Sequence, residues 1–93
     1  MIRSFRCPET ERVFRRERSR RLPVDIQRTA LRKLLMIHAA VRLEDLRVPP
    51  GNCLEALERD RAGQHSIRVN QQWRVCFVWR DGAAEDVVIV DYH

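Results

Sequence analysis

The chain ends in VVIVDYH, in which an acid, a phenol and an imidazole directly follow four apolar residues. Histidine gains and loses a proton near neutral pH, and tyrosine can relay or donate one, so both suit proton-transfer chemistry. Because side chains alternate between the faces of a strand, Asp91 and His93 are predicted to share a face, where the carboxylate would orient the imidazole. Tyr92 is predicted on the other side, unless the chain end twists out of the sheet.

RNA cleavage without a metal ion is one reaction that needs these groups. The 2′-OH attacks the adjacent phosphate, while one group removes the 2′ proton and another protonates the departing 5′ oxygen. A cation must meet the charge that builds on the phosphoryl oxygens, and arginine suits this task. Arg61 and Arg74 are the candidates. From chemistry alone, the alternative is a polar chain end together with two arginines on a strand surface.

Other chemistries find little support in the sequence. The three glycines of the chain, Gly51, Gly63 and Gly82, are too far apart to form a dinucleotide-binding or P-loop motif. Ser66 and His65 are adjacent in a predicted strand and should point to opposite faces, so they are not a nucleophile–base pair. The three cysteines are widely spaced without a C-x-x-C motif, so the sequence indicates neither a zinc ribbon nor a redox pair. We expect no metal site and no cofactor.

The positive charge of the chain is concentrated at one end. The net charge is +5, and residues 1–21 contain eight arginines and three glutamates, which accounts for the whole excess. Such a segment is typical of a surface that meets nucleic acid phosphates. An acidic protein partner and an ordinary solvated helix end are the alternatives.

The periodicity along the chain predicts an α+β domain. MIRSF indicates a short N-terminal strand, and helices are expected to start at Pro8 and at Pro23. The second helix should continue to about Val41 or Leu43, with an apolar stripe formed by Ala30, Leu31, Leu34, Leu35, His38 and Val41. After the loop RVPPGN, strands are predicted at CLEAL, QHSIRV, WRVCFVW and VVIV. This order favours helices on one face of a twisted antiparallel sheet.

The length of 93 residues predicts a single domain over residues 1–93. No apolar run approaches the roughly 18–20 residues of a membrane helix. The N-terminus also has no secretory signal. We therefore expect a cytoplasmic protein that does not contact a membrane.

The ordered stretch PPGNCLEALERDRAGQHSIRVNQQWRVCFVW, followed by VVIVDYH at the end, resembles the HigB branch of the RelE/ParE toxin superfamily. MIRSF also fits, so the resemblance covers essentially the whole chain. It implies a toxin of a type II toxin–antitoxin system with a microbial-ribonuclease-like fold. The implied activity is ribosome-dependent cleavage of mRNA in the A site, close to ribosomal RNA. The implied partner is a HigA-like helix-turn-helix antitoxin.

The resemblance also assigns roles by position. The terminal Asp-Tyr-His of the family corresponds to Asp91, Tyr92 and His93, which implies that the chain end belongs to the active site. The family's arginine after the aromatic residue corresponds to Arg74, a candidate phosphate clamp. Arg61, Arg68 and His65 are the candidate RNA-binding residues of the same sheet.

The sequence departs from the family pattern at one turn. Many relatives have lysine and glycine where this chain has Glu58 and Arg59, and some have histidine where it has Glu55. Turnover or codon preference is therefore expected to differ. Two alternatives stay open: a non-catalytic toxin like those of the ParE branch, which poison DNA gyrase, and an inactive chain that only binds the antitoxin. The terminal Asp-Tyr-His argues against the first.

Overall fold

The computed structural model describes residues 1–92, which form two helices and one antiparallel sheet. The helices are α1 (Pro8–Phe14) and α2 (Val24–Ala39), and the strands are β1 (Glu55–Ala56), β2 (Gln64–Arg68), β3 (Trp73–Arg80) and β4 (Ala83–Asp91). The strands pair in the order β1-β2-β3-β4, and each pair is antiparallel. The predicted α+β architecture is therefore confirmed. His93 lies outside the described residues.

The N-terminal segment covers the outer edge of β4, but it does not form a regular strand. Ile2 and Phe5 make isolated parallel bridges to Ala84 and Val87. The N–H of Arg3 donates to the carbonyl of Ala84 at 2.8 Å. An edge strand with unpaired backbone groups invites pairing with another chain, and this segment prevents it along part of β4.

Helix α2 packs on one face of the sheet, as its apolar stripe predicted. Ile26, Ala30, Leu34 and Ile37 are buried. The helix ends at Ala39, earlier than expected, and three stripe positions are wrong because Leu35, His38 and Val41 are exposed. Val41 lies beyond the end of the helix. The Nδ1 atom of His38 accepts the Ile2 N–H at 3.1 Å, so this histidine ties α2 to the N-terminal segment.

Two predicted strands behave differently in the structure. CLEAL shrinks to the two residues of β1, because a 3-10 turn precedes it and Cys53 has a φ of 48°. VVIV lies within the longer β4 and is covered on both sides, as its apolar character indicated. Val87 and Ile89 belong to the main core beneath α2, whereas Val88 packs with Leu57 and Cys76 on the other face.

The sheet therefore has two unequal faces. The first face, which includes Ile67, Val75 and Phe77, is buried beneath the helices and forms the main core. The second face has only a small apolar cluster of its own. Polar and charged side chains occupy the rest of that face, so it is the part of the sheet available for binding.

No helix within residues 1–92 combines the length and the apolar character that crossing a bilayer requires. The same residues contain no group of three or more His, Cys, Asp and Glu side chains placed to hold a metal ion.

Thr10 joins α1 to the strand that ends at the candidate site. Its side chain is fully buried, and its hydroxyl oxygen accepts the N–H of Ile89 at 3.0 Å. We expect Thr10→Val to lower the free energy of unfolding by about 1–3 kcal/mol, because the buried Ile89 N–H loses its acceptor. Urea unfolding measures this change, and amide hydrogen exchange at Ile89 should become faster.

Thr29→Val on α2 is the matched control, since Thr29 is half-buried and its hydroxyl makes no hydrogen bond within residues 1–92. The control should change the free energy of unfolding by less than about 0.5 kcal/mol. Equal stabilities of the two variants would show that the Thr10 hydrogen bond does not anchor β4.

Candidate active site

Arg74 lies on the second face near the start of β3, between β2 and β4. Its side chain is only 15% exposed. The Nη1 atom donates to the Ser66 hydroxyl at 2.8 Å and to the Cys53 carbonyl at 3.3 Å. It also lies 3.4 Å from the Glu55 carboxylate. These contacts hold the guanidinium in one orientation and leave other N–H donors of its fork for a ligand.

Tyr92 packs over this arginine. The centre of its ring lies 5.2 Å from the Arg74 guanidinium carbon, which is a cation–π contact. The N–H of Tyr92 donates to the Gln72 carbonyl at 2.7 Å, so the antiparallel pairing continues one residue beyond β4 and fixes the ring position. The structure therefore brings together two of the predicted catalytic residues.

Asp91 is the last residue of β4, opposite Trp73. One of its carboxylate oxygens accepts a hydrogen bond from the Gln72 side chain at 3.0 Å. Strand alternation places Asp91 and Tyr92 on opposite faces, as predicted. The predicted contact between Asp91 and His93 falls outside the described residues.

Arg68 lies directly across from Arg74 in the β2–β3 pairing. Two like charges in such a cross-strand pair repel each other and destabilise the sheet. Arg68 directs its Nε donor to the Asn70 carbonyl at 3.1 Å, and the Glu55 carboxylate offsets part of the charge of Arg74. The Arg68–Arg74 pair therefore lowers the stability of the folded chain and attracts a bound anion.

Arg61 and Arg6 extend the positive charge around this face. Arg61 ends a short 3-10 turn before β2, and its Nη1 lies 3.4 Å from the Gln64 side-chain oxygen. Burial raises the pKa of the Cys76 thiol, while the positive charges of Arg61, Arg74 and Arg6 act in the opposite direction. The thiol therefore stays protonated near neutral pH. The sequence reasoning missed Arg6, which the pairing of the N-terminal segment with β4 brings to this side.

His65 lies on the other face of the sheet. Its ring stacks on Phe77 with the ring centres 6.3 Å apart, beside the half-buried Leu43 and Leu54. Its Nδ1 atom is buried and has no hydrogen-bond partner within residues 1–92. The structure therefore does not group His65 with Arg74. Ser66, its neighbour, points to the second face, as strand alternation requires.

The model of one protein family matches residues 3–93, and its description is "RelE-like toxin of type II toxin-antitoxin system HigB". The chain belongs to this HigB-like toxin family. It is 47% identical over 68 residues to Toxin HigB-1 of Vibrio cholerae, covering 73% of this chain and 72% of the relative. An uncharacterized protein of Haemophilus influenzae is 35% identical over 69 residues, covering 74% of this chain and 68% of that protein.

Membership establishes this HigB-like chain as a type II toxin with a RelE-like fold, and a toxin of this type has an antitoxin partner. The structure also accounts for the turn at which the sequence departs from the family pattern. Arg59 has a φ of 57°, in the left-handed region that glycine adopts without strain. An arginine in this conformation costs roughly 1–2 kcal/mol. Glycine would therefore suit this backbone better, while Arg59 adds a positive charge beside Arg61.

The ion pair between Glu55 and Arg74 predicts that this carboxylate competes with a bound phosphate. We expect Glu55→Gln to strengthen the binding of a 2′-O-methyl oligonucleotide by up to about fivefold, since a partly exposed ion pair contributes about 0–1 kcal/mol. Fluorescence anisotropy measures the dissociation constant.

Glu44→Gln removes the same charge from an exposed side chain that forms no ion pair within residues 1–92, so it controls for net charge. A gain of the same size in both variants would show that Glu55 acts through net charge alone and does not compete for Arg74.

Proposed function

We propose that this toxin is an endoribonuclease that cuts translated mRNA in the ribosomal A site and so stops translation. The observation that carries the proposal is the pre-oriented Arg74 guanidinium on an open face of the sheet, with the Tyr92 ring packed over it. Arginines on three sides, together with membership of the HigB-like family, support a phosphate-bearing substrate.

In the proposed reaction the 2′-OH of one nucleotide attacks the adjacent phosphorus and expels the 5′ oxygen of the next. The products are a 2′,3′-cyclic phosphate and a 5′-OH, so atoms and charge balance when one proton moves from the 2′ oxygen to the 5′ oxygen. The reaction as written uses no metal ion and no cofactor.

Arg74 would bind the phosphoryl oxygens and stabilise the negative charge that develops on them. The phenol of Tyr92, held beside this guanidinium, would relay or donate a proton. His93 would act as acid or base with Asp91 orienting it, an assignment that rests on the family pattern because His93 lies outside the described residues.

Arg61 and Arg68 would contact the flanking phosphates of the mRNA strand, since Arg68 lies across from Arg74 and Arg61 lies beside Gln64 at the other end of β2. His65 would reach RNA only around the β1 edge of the sheet, where it lies close to Glu55 and Ala56.

The site is open, and this gives a physical reason why the toxin would cut mRNA only on the ribosome. An in-line attack needs the 2′ oxygen, the phosphorus and the leaving oxygen held close to one line. A shallow sheet face with one clamping arginine does not impose that geometry on a flexible strand. A codon fixed in the A site would arrive already ordered. A HigA-like antitoxin would then neutralise the toxin by denying it access to the ribosome.

Mapping mRNA 5′ ends in a translating extract tests this proposal. We expect wild-type toxin to create discrete cuts inside translated codons, and Arg74→Gln to reduce them on the order of 10²-fold, the usual effect of removing one charge-stabilising donor. Tyr92→Ala and a chain that lacks His93 should also lose the cuts. A 2′-deoxy nucleotide at the cut position should abolish cleavage there.

Arg80→Gln is the matched control, because Arg80 is an exposed arginine of β3 that pairs with Glu85. It should cut within about twofold of wild type. Absence of cuts with the wild-type toxin, together with inhibition of DNA supercoiling by gyrase, would contradict the proposal and favour the ParE-like alternative.

A further inference from the structure

The segment that joins α1 to α2 is rich in exposed arginines. Arg12 pairs with Glu9 and Glu17, and Arg15 pairs with Glu11, so the acids of this region are already engaged. The remaining side chains form no ion pair and no hydrogen bond within residues 1–92, and all are exposed: Arg16, Arg18, Arg20 and Arg21. We call residues 16–22 the arginine loop.

A buried serine at the centre of the loop holds its backbone. Ser19 is 1% exposed, and its hydroxyl donates to a Glu9 carboxylate oxygen at 2.6 Å. The same hydroxyl oxygen accepts the N–H groups of Arg21 and Leu22, each at 3.2 Å. The loop is therefore an ordered turn built around one polar side chain.

Gln27 of α2 fixes the loop from the other side. Its side-chain nitrogen donates to the carbonyls of Ser19 at 2.8 Å and Leu22 at 2.9 Å, and its oxygen accepts the Ser19 N–H at 3.1 Å. Arginine side chains on such a fixed backbone lose less conformational freedom when they bind a ligand than arginines on a flexible tail.

The end of α1 places a further arginine in an unfavourable conformation. Arg16 has a φ of 65°, and its N–H donates to the Val13 carbonyl at 3.0 Å while Glu17 N–H donates to the Arg12 carbonyl at 2.8 Å. This helix ending normally uses glycine at the left-handed position. The chain thus carries an arginine where glycine would be more stable, beside three other unpaired arginines.

The loop and α1 enclose two shallow surface cavities of about 530 and 370 Å³. Arg12, Arg18 and Arg20 line both of them, and Arg21 lines the smaller together with Glu9, whose carboxylate is engaged by Arg12 and Ser19. Leu22 and Val24 are the apolar side chains of the larger cavity. The wall is thus formed mainly by guanidinium groups.

We propose that the arginine loop binds the phosphate backbone of folded RNA and docks the toxin at a place away from the strand that it cuts. Protein–protein interfaces are centred on apolar and aromatic side chains, and no aromatic side chain of residues 1–92 lines either cavity. Contacts to a nucleic acid backbone come largely from arginine and lysine, and arginines form most of this surface. The planar fork of arginine matches two phosphate oxygens at once.

The loop is anchored on α2, which covers the first face of the sheet, whereas Arg74 and Tyr92 lie on the second face. A docked RNA would therefore leave the candidate active site available. The biological role of the docking rests on the proposed function, but binding to the phosphate backbone is a separate property of the chain.

Binding of a fluorescent 2′-O-methyl RNA hairpin, measured by anisotropy across a salt series without ribosomes, tests this inference. We expect R18Q/R20Q/R21Q to weaken binding about tenfold or more at moderate salt. It should also reduce the slope of log Kd against log salt by about two, since each phosphate contact contributes roughly 0.7–0.9. R18K/R20K/R21K keeps the charge and should retain most of the salt slope.

R32Q/R42Q/R47Q removes the same charge from three exposed arginines of α2 and the following turn, and should change Kd less than about twofold. Equal losses in the two glutamine variants would overturn the inference, because only net charge would then matter. Unchanged RNA binding by the loop variant, with loss of binding to an acidic peptide, would overturn it in favour of a protein partner.

The hairpin has no translated codon and no free 2′-OH for attack, so this result does not depend on cleavage. Loop-dependent binding to the hairpin by a toxin that never cuts translated mRNA would refute the proposed function and support the docking surface. Cleavage of translated mRNA without loop-dependent binding to the hairpin would support the proposed function and refute the docking surface.

Discussion

The candidate site of this toxin depends on one constraint, the position in which the Arg74 guanidinium is held. Four different parts of the chain fix it: Ser66 from β2, Glu55 from β1, the Cys53 carbonyl before β1, and Tyr92 beyond β4. All four must stand in the correct register. A shift of one residue in β3 would turn Arg74 toward the core and a buried valine toward solvent.

The first face of the sheet stabilises the fold, and the second face is available for binding. The first face forms the main core with α2, and the N-terminal segment and Thr10 hold β4 in place from outside. The second face contains the unfavourable Arg68–Arg74 pair and buries little apolar surface of its own. Natural proteins tolerate such destabilising features where binding or catalysis needs them.

Much of the fold could be predicted from the sequence because the hydrophobic periodicity was strong. The stripe of α2 and the alternation of β2 and β3 identify those elements directly. β1 was overestimated because CLEAL alternates like a strand, whereas the backbone turn at Cys53 depends on tertiary packing. Within the described residues, the predicted N-terminal strand forms only two parallel bridges, because it pairs with β4, 82 residues further along the chain, at Ile2 and Phe5 alone.

The candidate site was only partly predictable. Arg74 and Tyr92 were selected by chemistry and resemblance, but their contact depends on the Tyr92–Gln72 hydrogen bond beyond β4, which no local pattern indicates. The roles of Glu55 and Arg6 depend equally on tertiary pairing. The position of His65 could be predicted from the sequence, because alternation in β2 places it on the same face as Ile67 and on the opposite face from Ser66. Because Ile67 is a natural core residue, the same alternation puts His65 on the core side of the strand.

The proposed function requires that the second face of the sheet bind the scissile phosphate through Arg74. The most direct measurement is an NMR titration of the toxin with a 2′-O-methyl trinucleotide, following the Arg74 guanidinium and the Tyr92 ring. We predict that these signals shift together and saturate with one affinity, while the core beneath α2 stays unchanged. Saturating shifts confined to the helices, with Arg74 and Tyr92 unaffected, would contradict this.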